Sequence, residues 1–283
     1  MDLSTVHSVI RQDIFPADGE SSGLDTEQVS FFEQNGYVSG VKVLSDAQLG
    51  LLRSELAGLM CKEQAENPLF YEFHLNESTD PQKVLFHALG AWRVSEALHD
   101  VIFHPVVNKV AEQLLGGPVR FWHDQLFVKP AFDGGVVAWH QDYSYWTRTK
   151  PVAHLTCWIG LDNSNEENGC VHYVSGSHRW DLLPRTDLAS DMEAVLSVLT
   201  EDQRAAFKPV PIVLKAGEAS FHHSMTLHGS FANTSTRPRR AVVINMIRDG
   251  VASNSDEPLL AGVPIIPKGE KLQGQFFPLL RAE

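Results

Sequence analysis

Two hydrophobic periodicities divide this chain. In the first third, apolar residues recur three and four positions apart, the spacing of one helix face. Leu49, Leu52, Leu56 and Leu59 form such a stripe, and Ser45 with Gln48 supplies a capping box in front of it. A shorter helix is expected at about 26–35, closed by Asn35-Gly36, and a further helical stretch over 81–116, stopped by Gly116-Gly117-Pro118. From about 119 the period shortens. VRFWHDQLFV, VVAWHQDY, AHLTCWIGL, CVHYV, VPIVL, EASFHH and RAVVINMI read as short strands, with Gly134-Gly135, Asn168-Gly169, Ser175-Gly176 and Ala216-Gly217 among the turns between them. One amphipathic helical interruption is expected at 187–207. Residues 1–24, with PADGESSG at 16–23, read as a flexible leader, and 25–283 as one domain, because no repeat, low-complexity tract or linker divides it. Helices first and many short strands afterwards imply a β-sandwich or open barrel buttressed by N-terminal helices.

Composition keeps the chain in the ordinary globular range: 43% hydrophobic and 20% charged residues over 283 positions, enough for a sizeable core. Charge narrows the partners. Lys and Arg number 23 against 35 Asp and Glu, a net −12 that argues against nonspecific binding to nucleic acid or an anionic membrane. Cys61, Cys157 and Cys170 lie far apart with no CxxC pair, as expected of reduced intracellular thiols. No long apolar span and no signal peptide is found, and Arg281, Ala282 and Glu283 make no peroxisomal or lipidation signal. The expected compartment is the cytoplasm.

Candidate chemistry begins at AWHQDYSYW, residues 138–146, where a histidine and an aspartate stand two apart among aromatic residues. In a strand, His140 and Asp142 share one face and Gln141 takes the other. A buried carboxylate needs neutralising, by a divalent metal, an arginine or water, and the spacing alone does not choose. His228, in LHGS at 227–230, adds a second histidine. Two histidines and a carboxylate can occupy one face of an octahedral ferrous ion, leaving three positions open. RPRRAVV at 237–243 places three arginines nearby, able to grip a carboxylate through paired hydrogen bonds.

The ordered blocks WHQD, CWIGLDNSNEENGCVHYVSGSH and LHGSFANTSTRPRRAVV resemble the phytanoyl-CoA dioxygenase family, over about residues 28–280. That family comprises ferrous iron, 2-oxoglutarate-dependent oxygenases. The resemblance implies a mainly β fold with flanking helices around a double-stranded β-helix, the cupin-like jelly roll. It implies His140, Asp142 and His228 as metal ligands and Arg239 as the arginine that holds 2-oxoglutarate. Gln141, Trp158 and Ser230 match further co-substrate contacts, and Gln125 sits where some members use a methionine. Ser175 departs from the family's common proline before GSH. The upstream lysine of some members has only His74 and Lys83 as loose candidates here. The resemblance further implies Fe(II), 2-oxoglutarate and O2 at the site, with ascorbate in support. The reaction implied is hydroxylation of a small organic metabolite at an unactivated C–H bond, releasing succinate and CO2.

Other readings are weaker. A related halogenase would lack the carboxylate of Asp142, and a non-catalytic jelly-roll binding protein would not need the whole ligand set. A zinc hydrolase would need a general base that is not placed. His222 and His223 are the rivals of His228. Among Trp139, Tyr143, Tyr145 and Trp146, alternation sends half to the core and half to a pocket wall. Arg148, Lys150 and Arg185 are candidates for an anionic substrate, though such cations are commonly just solvated. A CoA thioester would demand a basic face that the acidic balance disfavours, so the family name does not identify the substrate. Within the arginine cluster, Arg239 should share a face with Ala241, Val243 and Asn245, and Arg240 with Val242, Ile244 and Met246.

Overall fold

β-Branched and aromatic residues at alternate positions suit a pleated surface, and they make the later two-thirds of the chain a set of short strands. The computed structural model describes residues 1–16, 22–185, 188–189 and 191–280. The strands begin with β1 (Tyr37–Lys42), β2 (Glu72–His74), β3 (Phe86–Leu89), β4 (Val119–Lys129) and β5 (Val137–His140). They continue with β6 (Thr149–Lys150), β7 (His154–Gly160), β8 (Val171–Val174), β9 (Pro209–Pro211) and β10 (Glu218–His223). The last four are β11 (His228–Ser230), β12 (Arg239–Arg248), β13 (Ala252–Ser253) and β14 (Leu279–Leu280). The α-helices are α1 (Thr26–Asn35), α2 (Asp46–Leu59), α3 (Glu96–Asp100), α4 (Pro105–Leu115) and α5 (Glu201–Ala206).

The larger sheet has eight strands, ordered β1-β10-β7-β12-β4-β3-β2 with β14 also on β4, and the smaller is β5-β11-β8-β9. Side chains from both sheets meet between them: Trp158, Ala241 and Val243 of the larger pack with Val171 and Tyr173 of the smaller. On the outer face of the larger sheet, Val242, Ile244 and Met246 join Leu52 and Leu56 of α2 and Val107 and Val110 of α4 in the main core. This is a jelly roll with helices buttressing one sheet, as expected. The parity of β12 is also as read, with Arg240 turned from the interior into an ion pair with Asp162, Nη2 to Oδ1 at 2.8 Å.

Helix starts are chemically explicit. Asp25 and Ser45 each accept from the backbone three residues on, and Gln28 and Gln48 return the bond. The stretch 81–116 differs from the single helical run expected. Phe86–Leu89 are all buried and form β3, paired with β4, and helix returns only at α3 and α4. A strand buried on both faces has no period of two, so its apolar run merges with the helical ones beside it. The segment 187–207 holds a 3-10 turn at Ala194–Ser197 and the short α5; its residues 187 and 190 lie outside the described residues.

The expected leader also differs where it is described. Residues 1–16 lie on the helical layer: Leu3 and Phe15 are buried, and the Asp2 carboxylate pairs with Arg93. Asp100, wholly buried, accepts from the backbone N–H of Ile10 at 2.8 Å and of Arg11 at 2.6 Å. Polar composition misled here because the polar groups are satisfied by the domain. Residues 17–21 of that leader, and Arg281, Ala282 and Glu283, lie outside the described residues.

Asp100→Ala should therefore strand two backbone donors and destabilise the protein by about 1–3 kcal/mol. Urea unfolding would read this as a lower midpoint. A midpoint equal to wild type would show that the N-terminal segment contributes nothing to the fold.

Candidate functional site

His140 ends β5 and His228 begins β11, and these two residues are partners in the antiparallel register. Their ring centroids are 4.1 Å apart. The glycine after His228 makes the approach possible: a Cβ on Gly229 would sit 3.0 Å from the Val137 carbonyl oxygen and 3.2 Å from the Trp139 side chain. Each histidine donates Nδ1–H to a backbone carbonyl two residues earlier, His140 to Ala138 at 2.7 Å and His228 to Thr226 at 2.9 Å. A carbonyl only accepts, so both rings hold that proton, and in a neutral ring so arranged the lone pair is on Nε2.

Asp142 does not continue the strand. β5 stops at His140, and Asp142 opens a 3-10 turn that bends its carboxylate back over the histidines. Strand alternation thus reached the right juxtaposition by the wrong geometry. Oδ1 lies 3.4 Å from His140 Nε2 and 3.6 Å from His228 Nε2. Oδ2 is already committed, accepting from Thr156 Oγ1 at 2.6 Å and His222 Nε2 at 3.0 Å. The three groups are buried, with one ligand atom from each within 4.8 Å of the others. Burial alone would raise the Asp142 carboxyl, but His228, His140 and His222 outweigh it and hold it well below the usual range. Burial pushes His228 well down, toward the neutral imidazole a metal requires. Two lone pairs and one free carboxylate oxygen converge, the donor set that suits a divalent transition metal.

His222 is not an alternative ligand. Its Nε2–H is given to Asp142 and its Nδ1 accepts from the Tyr173 hydroxyl at 2.8 Å, leaving no lone pair. His223 faces elsewhere, with Nδ1 accepting from the Met225 N–H at 3.1 Å.

A cavity of about 400 Å³ runs from the triad between the sheets, and Gln125, Trp158, Ser230 and Arg239 all line it. Arg239 is 2% exposed and lies over Trp158, its guanidinium carbon 5.2 Å from the ring centre. Nη2 donates to the Gly169 carbonyl at 2.8 Å and to Ser230 Oγ at 3.3 Å. The Nε–H is buried with no acceptor. Burial lowers this arginine to about 10, still charged at neutral pH. A buried guanidinium that has, among the described residues, an orphaned donor and no carboxylate partner fits the distal carboxylate of 2-oxoglutarate. Arg237 is exposed.

Gln141 corrects an expectation. Its amide is spent outside the cavity, donating to Met225 O at 3.0 Å and accepting from Leu183 N at 2.8 Å. As the residue between two inward neighbours, it faces outward and is no co-substrate contact. His74 and Lys83 are likewise outside the lining; Lys83 donates to the Phe132 carbonyl at 3.0 Å. The buried lysine is instead Lys129, at the end of β4 and opposite Arg239 in register. Parity with Gln125 and Phe127 was the signal that could have found it. The same parity would have marked Thr156 beside Trp158. Trp139 packs in the core with Val174, Val195, Leu199 and Leu227, and Tyr143 donates its hydroxyl to Thr149 O. Tyr145 and Trp146 line the cavity, the even division expected. Arg148 and Arg185 line it too, Arg185 stacked 4.5 Å over Tyr145, while Lys150 is exposed. The lining also includes Leu259, Leu260 and a His87–Glu77 pair at 2.6 Å.

Comparison with known proteins agrees with this fold. Residues 32–241 match the family model described as phytanoyl-CoA dioxygenase (PhyH). L-proline trans-4-hydroxylase of Streptomyces griseoviridis is 24% identical over 265 residues, covering 83% of this chain and 93% of that protein. The crystal structure of the non-heme alpha-ketoglutarate-dependent carbocyclase SnoK, from nogalamycin biosynthesis, superposes with a TM-score of 0.74 at 25% identity, covering 93% of this chain and all of that one. The epimerase SnoN, solved with Fe3+, alpha-ketoglutarate and nogalamycin RO, shares the fold with a TM-score of 0.73 at 22% identity, covering 90% and 98% of the two chains.

An Fe(II) titration monitored by metal retention after desalting should show binding by the wild type, and loss of it in His140→Ala and His228→Ala with circular dichroism unchanged. Thr156→Val and His222→Phe, which release Oδ2, should each weaken retention by roughly 10–100-fold. Undiminished iron binding by the His228→Ala protein would overturn the ligand set.

Proposed function

The chain belongs to the phytanoyl-CoA dioxygenase family, and from that premise we propose that it is an Fe(II)- and 2-oxoglutarate-dependent hydroxylase of a small organic metabolite, releasing succinate and CO2. The observation that carries this reading is the presence, in one buried cavity, of a His–Asp–His triad and an arginine whose Nε–H has no acceptor. His140, Asp142 and His228 would hold the ferrous ion. Bound there with 2-oxoglutarate and O2, the iron would supply the oxidising power for C–H cleavage.

The protein's own part is positional. Thr156 and His222 hold Oδ2, so that Asp142 offers a single oxygen and keeps one charge in the site. Arg239 and Ser230 would anchor the far carboxylate, with Trp158 walling that end. The volume of about 400 Å³ suits a small ligand beside the co-substrate. Elsewhere in the lining, Trp146, Leu259 and Leu260 offer apolar contact, and Arg148, Arg185 and the His87–Glu77 pair offer polar anchors. L-proline, named for one relative, is a molecule of that scale. Retention of Asp142 supports hydroxylation over halogenation, and the intact ligand set supports turnover over passive binding.

Purified protein with Fe(II) and ascorbate should form succinate from 2-oxoglutarate, and a metabolite screen by oxygen consumption should find compounds that stimulate it. Removing one partner of a buried charge pair costs about 3–5 kcal/mol, so Arg239→Leu should weaken 2-oxoglutarate binding by roughly 10²-fold or more. Arg240→Leu, already paired to Asp162 outside the cavity, should change it only a few-fold. Anaerobic titration of the iron chelate absorbance measures both, and a crippled Arg240→Leu with normal Arg239→Leu would refute the assigned arginine.

A further inference from the structure

His123 lines the cavity from β4 and is 2% exposed. Its contacts among the described residues are all at Nδ1, which donates to the Asp124 carbonyl at 3.3 Å and lies 3.3 Å from the Asn245 amide. The same amide reaches Thr156 Oγ1 at 2.9 Å, and Thr156 Oγ1 is 2.6 Å from Asp142 Oδ2. A hydroxyl has one proton, and the shorter contact, to the charged carboxylate, takes it. With Asn245 Oδ1 toward Thr156, two oxygens would then face each other with no proton between them. With Nδ2 toward His123, two N–H groups would compete, because the Asp124 carbonyl already requires the proton on Nδ1. The two ends of an amide are told apart by the bonds they can make, and only the reverse orientation satisfies both contacts. Gln125, 3.4 Å away, turns its amide to match.

His123, Asn245, Thr156 and Asp142 then form one chain in which each proton is given toward the carboxylate. Its far end is a lone pair on His123 Nε2, which no described residue meets. Burial lowers His123 to about 4, so the ring is neutral at pH 7. Trp146 stands edge-on to it, the ring centroids 5.5 Å apart, and holds its plane. We propose that His123 is a specificity-determining residue that accepts a hydrogen bond from a protonated amine of the organic substrate. The proposal rests on the reading of the cavity as the chamber of a hydroxylase and names what that chamber selects. A neutral imidazole accepts from a hydroxyl as well as from an amine. The carboxylates of Glu72, Glu77 and Asp142 in the same lining favour the cation.

A histidine that only packs beneath Trp146 could take either tautomer and would give no preference among ligands of one shape. Two measurements on the full chain separate these roles. Nitrogen-15 NMR of histidine-labelled, metal-free protein, assigned against His123→Gln, should show His123 protonated on Nδ1 and bare on Nε2 at neutral pH. Anaerobic calorimetry with Fe(II) and 2-oxoglutarate then compares piperidine-2-carboxylate, tetrahydropyran-2-carboxylate and cyclohexanecarboxylate. These probes share a ring and a carboxylate and differ at one ring position, which is a charged donor, an acceptor or neither. The amine should bind roughly tenfold or more tightly than the other two, the scale of a charge-assisted hydrogen bond. His123→Leu should bring all three within about threefold of one another. His123→Gln, whose carbonyl can accept, should keep part of the preference, and His123→Phe replaces the leucine variant if that does not fold. A proton on Nε2, no binding of the amine, equal affinities, or a preference that survives His123→Leu overturns the proposal. The chelate absorbance of Fe(II) with 2-oxoglutarate in the same samples reports separately on the hydroxylase reading. Its absence, with the tautomer and the preference intact, would sink that reading and leave His123 as the amine's partner.

Discussion

The centre of this protein depends on one register. Antiparallel pairing of β5 with β11 sets His140 opposite His228, and a slip of one residue in either strand would send that strand's ring to the other face of the small sheet. Backbone hydrogen bonds fix the strands, and the carbonyls of Ala138 and Thr226 then fix each ring's tautomer. No loop is needed to bring the imidazoles together. Only the third donor, Asp142, comes from a turn, and the two hydrogen bonds to its Oδ2 hold it there.

The charges divide along the same interior. At one end a carboxylate stands among histidines, with one oxygen bonded and one free. At the other, Arg239 and Lys129 stand together with no acid between them among the described residues. Neither end is a self-contained ion pair. A buried charge without its partner is costly, and a site that keeps such charges gains that energy back when ligands of opposite sign arrive. The interior between the two sheets thus forms an electrostatic template. A cation fits the aspartate end, an anion the arginine end, and Trp158 lies between the sheets beside the latter.

Much of this was legible in the sequence, and the reasons are specific. Short β-like runs marked β4, β7, β10 and β12 of the larger sheet, though not β1, β2, β3 or β14, and parity along RRAVVIN assigned Arg239 inward and Arg240 outward. The capping box at Ser45 marked the start of α2, and Asn35-Gly36 the end of α1, whose own capping box at Asp25 was not read. What failed were segments in which periodicity carries no information. β3 is buried on both faces, so its apolar run looked helical. The N-terminal residues are polar yet tied down by Asp100 and Arg93, partners about 90 positions away. Lys129 was passed over for a similar reason: a lysine at a strand end before a proline reads as a solvated terminus, and only its three-dimensional acceptors show otherwise.

The tripeptide His140-Gln141-Asp142 carries a last consequence. Its outer residues face the cavity, and its middle one grips the backbone of the 181–183 segment from the opposite side. That segment runs into Arg185 and Leu188, which wall the cavity. The turn that begins at Asp142 contributes Tyr145, over which Arg185 stacks, and leads to Arg148, which donates to the carbonyls of Pro258 and Leu259. The substrate-side loops are therefore anchored, through Gln141 and Arg148, to the same few residues that supply two of the proposed metal ligands. Strands keep the chemistry fixed while these loops can vary in sequence to suit different substrates. The two meet at one tripeptide, so the segments that wall the cavity and the turn that carries Asp142 are joined by the same hydrogen bonds. The carboxylate, the one proposed donor of the three that a turn and not a strand supplies, is the donor nearest in the chain to those segments.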